Sequence, residues 1–323
     1  MTVRAAGVRR FGAAVEILDL PRARALRPDE VLIDARACGV GNWDEFARTG
    51  DWDLGVRPPM ALGVEAAGIV AAVGDRVVGV RAGDRVTAHS VPLRQQGAWA
   101  EEYVAAAGHV AAVPAGVSLD AAAALPVPAL TADRAIDALG VGPGQTVLVH
   151  GAGGVTGGML VQLAAHRGAV VIATAGASSA GRVASMGAGT VLDYHQADWP
   201  AQVRTLTAGG VDAAANAARS GSSEAVKAVR DGGRLATITA DLPGAERGIT
   251  MQAVQVEPDG RRLANLVQLL AHGALTVSVA DRFPLQQAAT ALARARSGAH
   301  GSAIILRPGS PAERGASLRA GGS

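Results

Sequence analysis

Residues 147–158 read VLVHGAGGVTGG, and the interpretation of the whole chain starts from them. A short run of β-branched and apolar residues leads into a glycine cluster, and the residues that follow are spaced as a helix. Glycine lets the backbone approach a ligand closely, and free N–H groups at a helix start attract anions. The stretch therefore predicts a strand, a phosphate-binding turn and a helix, as in a dinucleotide site.

The glycine spacing departs from the GxGxxG pattern. Gly151 and Gly153 begin that pattern, but Thr156 stands where its third glycine is expected. The spacing that fits is GxxGxxG, with Gly151, Gly154 and Gly157. A plain tight turn between a strand and a helix has a similar composition, so the motif by itself leaves both interpretations open.

Composition limits the class of protein. A chain of 323 residues is long for one hydrophobic core, which favours two domains, and a hydrophobic content of 49% argues against disorder. No apolar stretch is long enough to cross a bilayer, and the N-terminus lacks the apolar run of a secretory leader, so we expect a cytoplasmic protein. Cys38 is the only cysteine, which excludes an intrachain disulfide and a cysteine-built zinc site.

Charge argues against a nucleic-acid partner. The net charge is +2, and the sequence pI of about 9.2 reflects arginines, since Lys227 is the only lysine. The arginines are interspersed with acidic residues and form no basic stripe. Lysine-based covalent catalysis would have a single candidate residue.

The pattern of the chain changes near residue 119. Before it, short β-branched runs are bounded by Gly, Pro and Asp, which is typical of a β-rich domain; after it, strands alternate with helices, which indicates a parallel sheet. We predict an α/β protein with a doubly wound parallel Rossmann sheet over residues 124–274. Within it, residues 222–230 are predicted as a helix and residues 234–239 as a strand. Residues 1–123 and 275–323 would form one discontinuous β-rich domain, with a mobile tail over residues 308–323.

Eight motifs occur in an order found in a known family. They are CGVGNWDEFARTG (38–50), GVEAAGIVAAVG (63–74), GDRV (83–86), GAWAEEYV (97–104), ALTA (129–132), GAGGVTGGMLVQLA (151–164), MGAGTVLDY (186–194) and GGRL (232–235). Together they resemble the medium-chain dehydrogenases/reductases, in particular the zinc-free quinone oxidoreductases, over nearly the whole chain to about Leu306. The resemblance implies a GroES-like fold for the β-rich domain.

The resemblance also implies that the metal is missing. Zinc-dependent members have a cysteine, a histidine and a cysteine where this chain has Gly41, Val64 and Val127, none of which can bind Zn²⁺. Glu65 remains from the same motif. We interpret it as a structural acceptor for nearby backbone or arginine groups, with a catalytic base as the alternative.

The charge near the end of the second Rossmann strand favours NADPH. NAD enzymes of this fold place an acid there for the ribose 2′-OH, whereas residues 172–182 read IATAGASSAGR and contain none. Thr174, Ser178, Ser179 and Arg182 are candidates for the phosphate end, although Arg182 could equally be a solvated arginine on a helix face. The expected cofactor-binding residues are Thr131, Gly151, Gly154, Val155, Thr156, Gly157, Thr174, Ser178, Arg182, Tyr194, Asn216 and Ala217.

Other roles come from the resemblance alone. It places Tyr194 near the adenine ribose, and it places Asn42, Asp44, Thr131 and residues 216–218 around the nicotinamide. Phe46 and Trp52 fall where the family presents aromatic pocket residues, with packing as the alternative role. The family's Gly-Lys pair before the last strand is replaced by Ser302 and Ala303, so Arg282 or His300 would have to supply any phosphate contact there.

A bound NADPH without a metal or lysine suits an acceptor that needs little activation, such as a quinone or an activated α,β-unsaturated carbonyl. We expect water or the Thr131 hydroxyl to complete protonation. No catalytic residue is assigned; the substrate-pocket candidates are Asn42, Asp44, Phe46, Trp52 and Thr131.

Three alternatives remain open. The first is a redox-inactive NADPH-binding sensor or structural protein. The second is an enoyl-thioester reductase, which would lack its pocket tyrosine because the only tyrosines are Tyr103 and Tyr194. The third, a zinc alcohol dehydrogenase, would require tightly bound metal. The expected partners are the small-molecule substrate and a second copy, through a segment near residues 235–256.

Overall fold

The computed structural model describes residues 2–22, 25–91 and 97–309. Residues 310–323, which make up most of the tail that we expect to be mobile, lie outside these ranges. The described residues form one parallel sheet, one larger mixed sheet and one small sheet.

The parallel sheet has six strands and carries the glycine stretch. Its strands stand in the order β11, β10, β9, β12, β13, β14, and every neighbouring pair is parallel. This order places β9 at the topological switch point of a doubly wound sheet, so the predicted fold class is confirmed. The strands are β9 (Thr146–His150), β10 (Val170–Thr174), β11 (Ala188–Leu192), β12 (Val211–Asn216), β13 (Val229–Thr237) and β14 (Thr250–Ala253).

Helices cover both faces of that sheet. The apolar residues of β9, β10 and β12 alternate between two buried layers, one shared with α3, α4 and α8 and the other with α6. The helices are α3 (Pro126–Leu139), α4 (Val155–His166), α5 (Ala177–Ser185), α6 (Trp199–Leu206), α7 (Ser222–Ala225) and α8 (Gly260–Ala271).

The β-rich part contains the other two sheets. The mixed sheet runs in the order β15, β16, β3, β5, β6, β8, with β7 also paired to β3, and the small sheet runs β2, β1, β4. Its elements are β1 (Thr2–Val8), β2 (Glu16–Pro21), β3 (Glu30–Val40), α1 (Trp43–Thr49), β4 (Met60–Ala61), β5 (Glu65–Val73), β6 (Arg85–His89), β7 (Glu102–Ala106), β8 (Val110–Ala112), α2 (Leu119–Ala123), β15 (Val279–Pro284), α9 (Ala288–Arg296) and β16 (Ala303–Arg307).

The end of the chain returns to the sheet near its start. Ile304, Ile305 and Leu306 of β16 pair antiparallel with Val40, Gly39 and Cys38 of β3. Ile305 is fully buried in a cluster that includes residues of α2. Residues from both ends of the sequence therefore share one core.

Four neighbouring strands of the parallel sheet end in buried polar residues. The register sets Asn216 beside both His150 and Thr237, and it sets Val149 beside Ala173, so Thr174 follows next to His150. Side chains alternate between the two faces along each strand, and residues that stand side by side on neighbouring strands point to the same face, so all four lie on one face. The carboxyl edge of the sheet is therefore polar at the point where the glycine stretch leaves it.

The structure differs from the sequence prediction in two places. The helix predicted over residues 222–230 is shorter: α7 ends at Ala225, a 3₁₀ turn covers Val226–Ala228, and β13 begins at Val229. Helix α1 was expected to be part of a β-rich region, but its seven residues are too few to show a helical period. No helix within the described ranges is both long enough and apolar enough to span a bilayer.

Replacing Ile305 by alanine tests whether the last strand stabilises the shared core. Loss of a fully buried isoleucine should lower the free energy of unfolding by about 2–5 kcal/mol, measured by denaturant titration. Val78→Ala is the control, because Val78 is 89% exposed and its loss should change stability by less than about 0.5 kcal/mol. Equal effects of the two substitutions would contradict this account of the core.

Candidate functional site

The glycine stretch forms a tight turn from β9 into α4. Gly151 has a positive φ of 83°, and a Cβ atom on Gly157 would overlap the Gly151 carbonyl oxygen. Helix α4 begins after Gly154, and the N–H groups of its first residues, Val155 and Thr156, have no intrahelical partner. Gly154 has no side chain that could cap them. Among the described residues these two N–H groups have no backbone acceptor, and the glycines of the turn put no side chain of their own in front of them.

Thr174 holds this turn from the neighbouring strand. Its hydroxyl accepts the Gly151 N–H at 3.1 Å and lies 2.7 Å from Nδ1 of His150. The His150 ring stacks on Trp199 with a centroid separation of 4.7 Å, and burial lowers the pKa of His150. Thr174 was expected to contact a phosphate, but it is fully buried and its hydroxyl shapes the loop instead.

Asn216 closes the next strand and is also buried. Its amide donates to the Ser222 hydroxyl at 2.8 Å and to the Ala218 carbonyl at 3.0 Å, while its carbonyl oxygen accepts the Ala218 N–H. The Ala217 N–H donates to the His150 carbonyl at 2.8 Å. Asn216 and Ala217, which the resemblance places around the nicotinamide, thus lie beside the glycine turn, and the Asn216 side chain is engaged by neighbouring residues.

Asp241 completes this polar cluster. Its carboxylate accepts from the Ser222 N–H at 3.1 Å, from the Ser222 hydroxyl at 2.9 Å and from the Thr237 hydroxyl at 2.9 Å. Burial opposes ionisation, but hydrogen bonds from Thr239, Ser222 and Thr237 outweigh it and lower the pKa of Asp241. A carboxylate held in this way keeps the loop after β13 against the end of β12.

The rim beyond β10 carries exposed polar and aromatic side chains. Ser178 is exposed, Tyr194 is 48% exposed, and the Tyr194 ring lies 4.1 Å from that of His195, centroid to centroid. A Cβ atom on Gly176 would sit in contact with both rings, which places them over the start of α5. The structure therefore brings Tyr194 and the α5 start together.

Arg182 does not share that rim. Its guanidinium Nη2 donates to the Gly153 carbonyl at 2.7 Å and to the His300 carbonyl at 3.1 Å. Of the two residues that could replace the missing lysine, Arg282 pairs with Asp120 at 2.5 Å and His300 contributes its carbonyl to Arg182. Arg182 is therefore neither a solvated arginine nor one that points at the Tyr194 rim.

The substrate-pocket candidates separate on α1. Asn42 and Phe46 are exposed and lie four residues apart, hence on one side of the helix, and Phe46 is 44% exposed. Asp44 was expected to line the substrate pocket, but it is fully buried and so cannot contact a substrate. Trp52 is half-buried, its ring packs against the core of the β-rich part, and its backbone N–H donates to the Phe46 carbonyl at 3.0 Å.

The positions that hold zinc in the resembling enzymes are filled by apolar contacts. Val64 and Val127 are buried, and a Cβ atom on Gly41 would overlap the indole of Trp43. Trp43 thus occupies the space into which a residue-41 side chain would project, and its buried indole N–H finds no hydrogen-bond partner in the part of the chain that the structure describes. Within the described ranges, no three His, Cys, Asp or Glu side chains converge on a common point.

Glu65, the first residue of β5, contacts the start of α3. Its Oε2 accepts the Val127 N–H at 2.8 Å, which is the backbone acceptor role that we expect for it. Thr131 lies one turn further along α3 and donates its hydroxyl proton to the Val127 carbonyl at 2.6 Å. The Thr131 hydroxyl proton is therefore already engaged within the helix.

Two buried carboxyl groups lie close enough to influence each other. Burial raises the pKa of Asp44 to about 8, although the Gly41 N–H donates to its Oδ2 at 2.9 Å. Burial also raises the pKa of Glu65 well above its usual value, and the Asp44 charge adds to this effect. The second oxygen of Asp44 is buried without a partner. A protonated Asp44 is the form that this environment favours near neutral pH.

Trp43 and Asp241 are not predicted from the sequence. A local signal exists for Trp43. Gly41 stands where the zinc enzymes that the chain resembles have a ligand cysteine, and a large aromatic residue follows it two positions later. For Asp241 there is none, because its partners come from β13 and from the residues after β12.

The Asp44 carboxyl should make stability depend on pH. The folded protein keeps a proton that the unfolded chain loses, so the free energy of unfolding falls as pH rises from the usual value of 3.8 towards about 8. This group contributes at most about 1.4 kcal/mol per pH unit. Asp44→Asn should make the denaturation midpoint depend less steeply on pH, with the remaining dependence due to Glu65, whereas Asp51→Asn, at an exposed acid, should leave the dependence as in the wild type. Parallel pH profiles for wild type and Asp44→Asn would contradict the protonated state.

Two sequence families match the chain. The family described as alcohol dehydrogenase GroES-like domain matches residues 27–121, and the family described as zinc-binding dehydrogenase matches residues 186–306. Quinone oxidoreductase from Lama guanicoe is 35% identical over 200 residues, covering 61% of this chain and 59% of that protein. The synaptic vesicle membrane protein VAT-1 homolog of Danio rerio is 35% identical over 190 residues, covering 58% of this chain and 38% of that protein. The matches span about half the length of these curated relatives.

Solved structures share the fold over nearly the whole chain. An NAD-dependent alcohol dehydrogenase has a TM-score of 0.85 at 29% identity, covering 95% of this chain and 100% of that one. A mycobacterial protein complexed with NADPH has a TM-score of 0.82 at 28% identity, with the same coverage of 95% and 100%. With the GroES-like part, the parallel sheet and the glycine turn in place, the chain belongs to the medium-chain dehydrogenase/reductase superfamily and is quinone oxidoreductase-like within it.

Proposed function

We propose that the protein is an NADPH-dependent, metal-independent reductase of quinones or activated α,β-unsaturated carbonyls. The observation that carries the proposal is the turn from β9 to α4, where Gly157 packs on the Gly151 carbonyl and the start of α4 is uncapped. A dinucleotide pyrophosphate suits this turn because it needs unpaired N–H donors and close backbone approach. Gly151, Gly154, Val155, Thr156 and Gly157 would hold it.

The preference for NADPH rests on charge. The segment from Ala175 to Arg182 contains no acid, so no carboxylate of that segment repels a 2′-phosphate. Ser178 and Tyr194 are the exposed side chains near the start of α5 that could meet it. The NADPH complex of the mycobacterial relative supports this choice, while the NAD-dependent alcohol dehydrogenase fold makes a direct comparison of the two cofactors necessary.

Metal independence rests on the residues at the former ligand positions. Gly41, Val64 and Val127 offer no ligand atom, and the Trp43 ring fills the space above Gly41. Bound NADPH would supply a hydride, and an acceptor that is already electrophilic needs no Lewis acid to receive it.

The side chains that could meet an acceptor are those that α1 leaves exposed. Asn42 offers an amide that does not cap its own helix, and Phe46 offers an exposed ring on the same side. A flat acceptor would be oriented by such a ring. Because the Thr131 proton is engaged by the Val127 carbonyl, we assign the protonation that completes reduction to solvent water.

Purified protein should bind NADPH more tightly than NADH, measured by the fluorescence change of the reduced cofactor on binding. It should then oxidise NADPH when small quinones or enones are added, and added zinc or a chelator should not change the rate. Equal affinity for the two cofactors would contradict the charge argument. Binding without turnover over a panel of such acceptors would favour the redox-inactive alternative.

Gly157→Ala tests the turn itself. The added methyl group would overlap the Gly151 carbonyl, so the turn must open, and we expect NADPH affinity to fall at least about tenfold in a binding titration. Gly181→Ala is the matched control, since Gly181 is also helical and a Cβ atom there meets nothing within 4 Å. Wild-type affinity in Gly157→Ala would show that the cofactor does not use this turn.

A further inference from the structure

Arg182 of α5 meets two backbone carbonyls that lie far apart in the sequence. Its Nη2 donates to Gly153 in the glycine turn at 2.7 Å and to His300 at 3.1 Å. Its Nη1 lies 3.9 Å from the Met186 sulfur. No carboxylate of the described residues forms an ion pair with it, so its positive charge is balanced by carbonyl dipoles alone.

The turn of residues 298–302 is shaped for this contact. His300 and Gly301 both have positive φ, at 49° and 77°. A Cβ atom on Gly301 would overlap the Arg182 guanidinium and the Gly153 carbonyl oxygen, so any larger residue would force the turn away. The Ser302 N–H donates to the Ala299 carbonyl at 3.0 Å, which closes the turn on itself.

This turn belongs to the other part of the fold. It connects α9 to β16, and β16 is paired with β3 in the mixed sheet. The Arg182 contact therefore joins the β-rich part to the loop that would hold the dinucleotide. A guanidinium can serve two acceptors at once because its donors are fixed in one plane.

We propose that Arg182 is a positioning residue that ties the turn of residues 298–302 to the glycine turn and thereby slows release of a bound dinucleotide. The proposal rests on the dinucleotide site proposed above. With Gly153 fixed by Arg182 and α4 beginning two residues later, at Val155, the tie also holds the start of α4 in place. Opening of the tie would free the turn of residues 298–302 and the glycine turn together.

The test compares Arg182→Met with Arg204→Met in the full-length protein. Arg204 of α6 is a matched control, because it too donates to a backbone carbonyl, that of Val229, at 2.9 Å, but away from the glycine turn. Two measurements are made: the rate at which bound NADPH is displaced in stopped-flow fluorescence, and hydrogen exchange of the amides of residues 298–303 without cofactor. Arg182→Met removes the hydrogen bonds to both carbonyls; it should release NADPH about tenfold faster, the effect expected from losing the charge-assisted bond to the glycine turn, and should raise exchange in the turn of residues 298–302. Arg204→Met should change neither.

Gly301→Ala provides a second route if Arg182→Met folds poorly. The added methyl group should push the turn off Arg182 and raise both the release rate and the exchange of residues 298–303. Wild-type release and exchange in either soluble variant would overturn the proposal. Faster NADPH release with unchanged hydrogen exchange of residues 298–303 would show that Arg182 acts through its charge, and would overturn the proposal that it ties the two turns together. If wild-type protein does not bind NADPH, the proposed function fails, while the exchange measurement still decides whether Arg182 holds the turn.

Discussion

The bond from the Gly151 N–H to the Thr174 hydroxyl determines where the glycine turn leaves the sheet. It joins the carboxyl ends of two neighbouring parallel strands, β9 and β10. Without it, the Gly151 N–H would lack this partner at the edge of the buried core. The same hydroxyl fixes the His150 ring, which in turn covers Trp199 beneath it. The path of the backbone, the polar edge and the apolar layer under it therefore meet at the Thr174 hydroxyl.

The remaining polar edge repeats this arrangement with other partners. Asn216 and Asp241 both bond to the residues that follow β12, Asn216 from the end of that strand and Asp241 from 19 residues beyond Ser222. A buried polar group is costly unless it is paired, and here each pairing also fixes a loop. The loops at this edge are consequently held by side-chain hydrogen bonds where they border the glycine turn.

Much of the fold follows from local sequence because period and composition act locally. Alternating strands and helices after residue 119 predict the parallel sheet, and the run before Gly151 predicts β9 together with the turn. Helix α1 does not follow, since its seven residues are embedded in a region of short strands and glycines.

The roles of individual side chains follow least well from the sequence. Thr174, Thr131 and Arg182 each look available in the sequence, but each hydroxyl or guanidinium is engaged by a backbone group, and for Thr174 and Arg182 that group comes from another element. Asp44 is likewise placed in the core by the turn at Gly41, which a list of polar residues cannot show.

The Trp43 ring above Gly41 has a consequence for how such a protein could change. In the zinc enzymes that the chain resembles, the residue at position 41 supplies a thiolate, but a side chain there would collide with the indole. A cysteine introduced at Gly41 alone would disturb packing before it could gain a metal, and histidine at Val64 or cysteine at Val127 would each be an isolated ligand. Intermediates on the way back to a zinc site would thus lose packing without gaining coordination. The indole therefore opposes any ligand side chain at position 41, so that packing as well as residue identity works against a zinc site there.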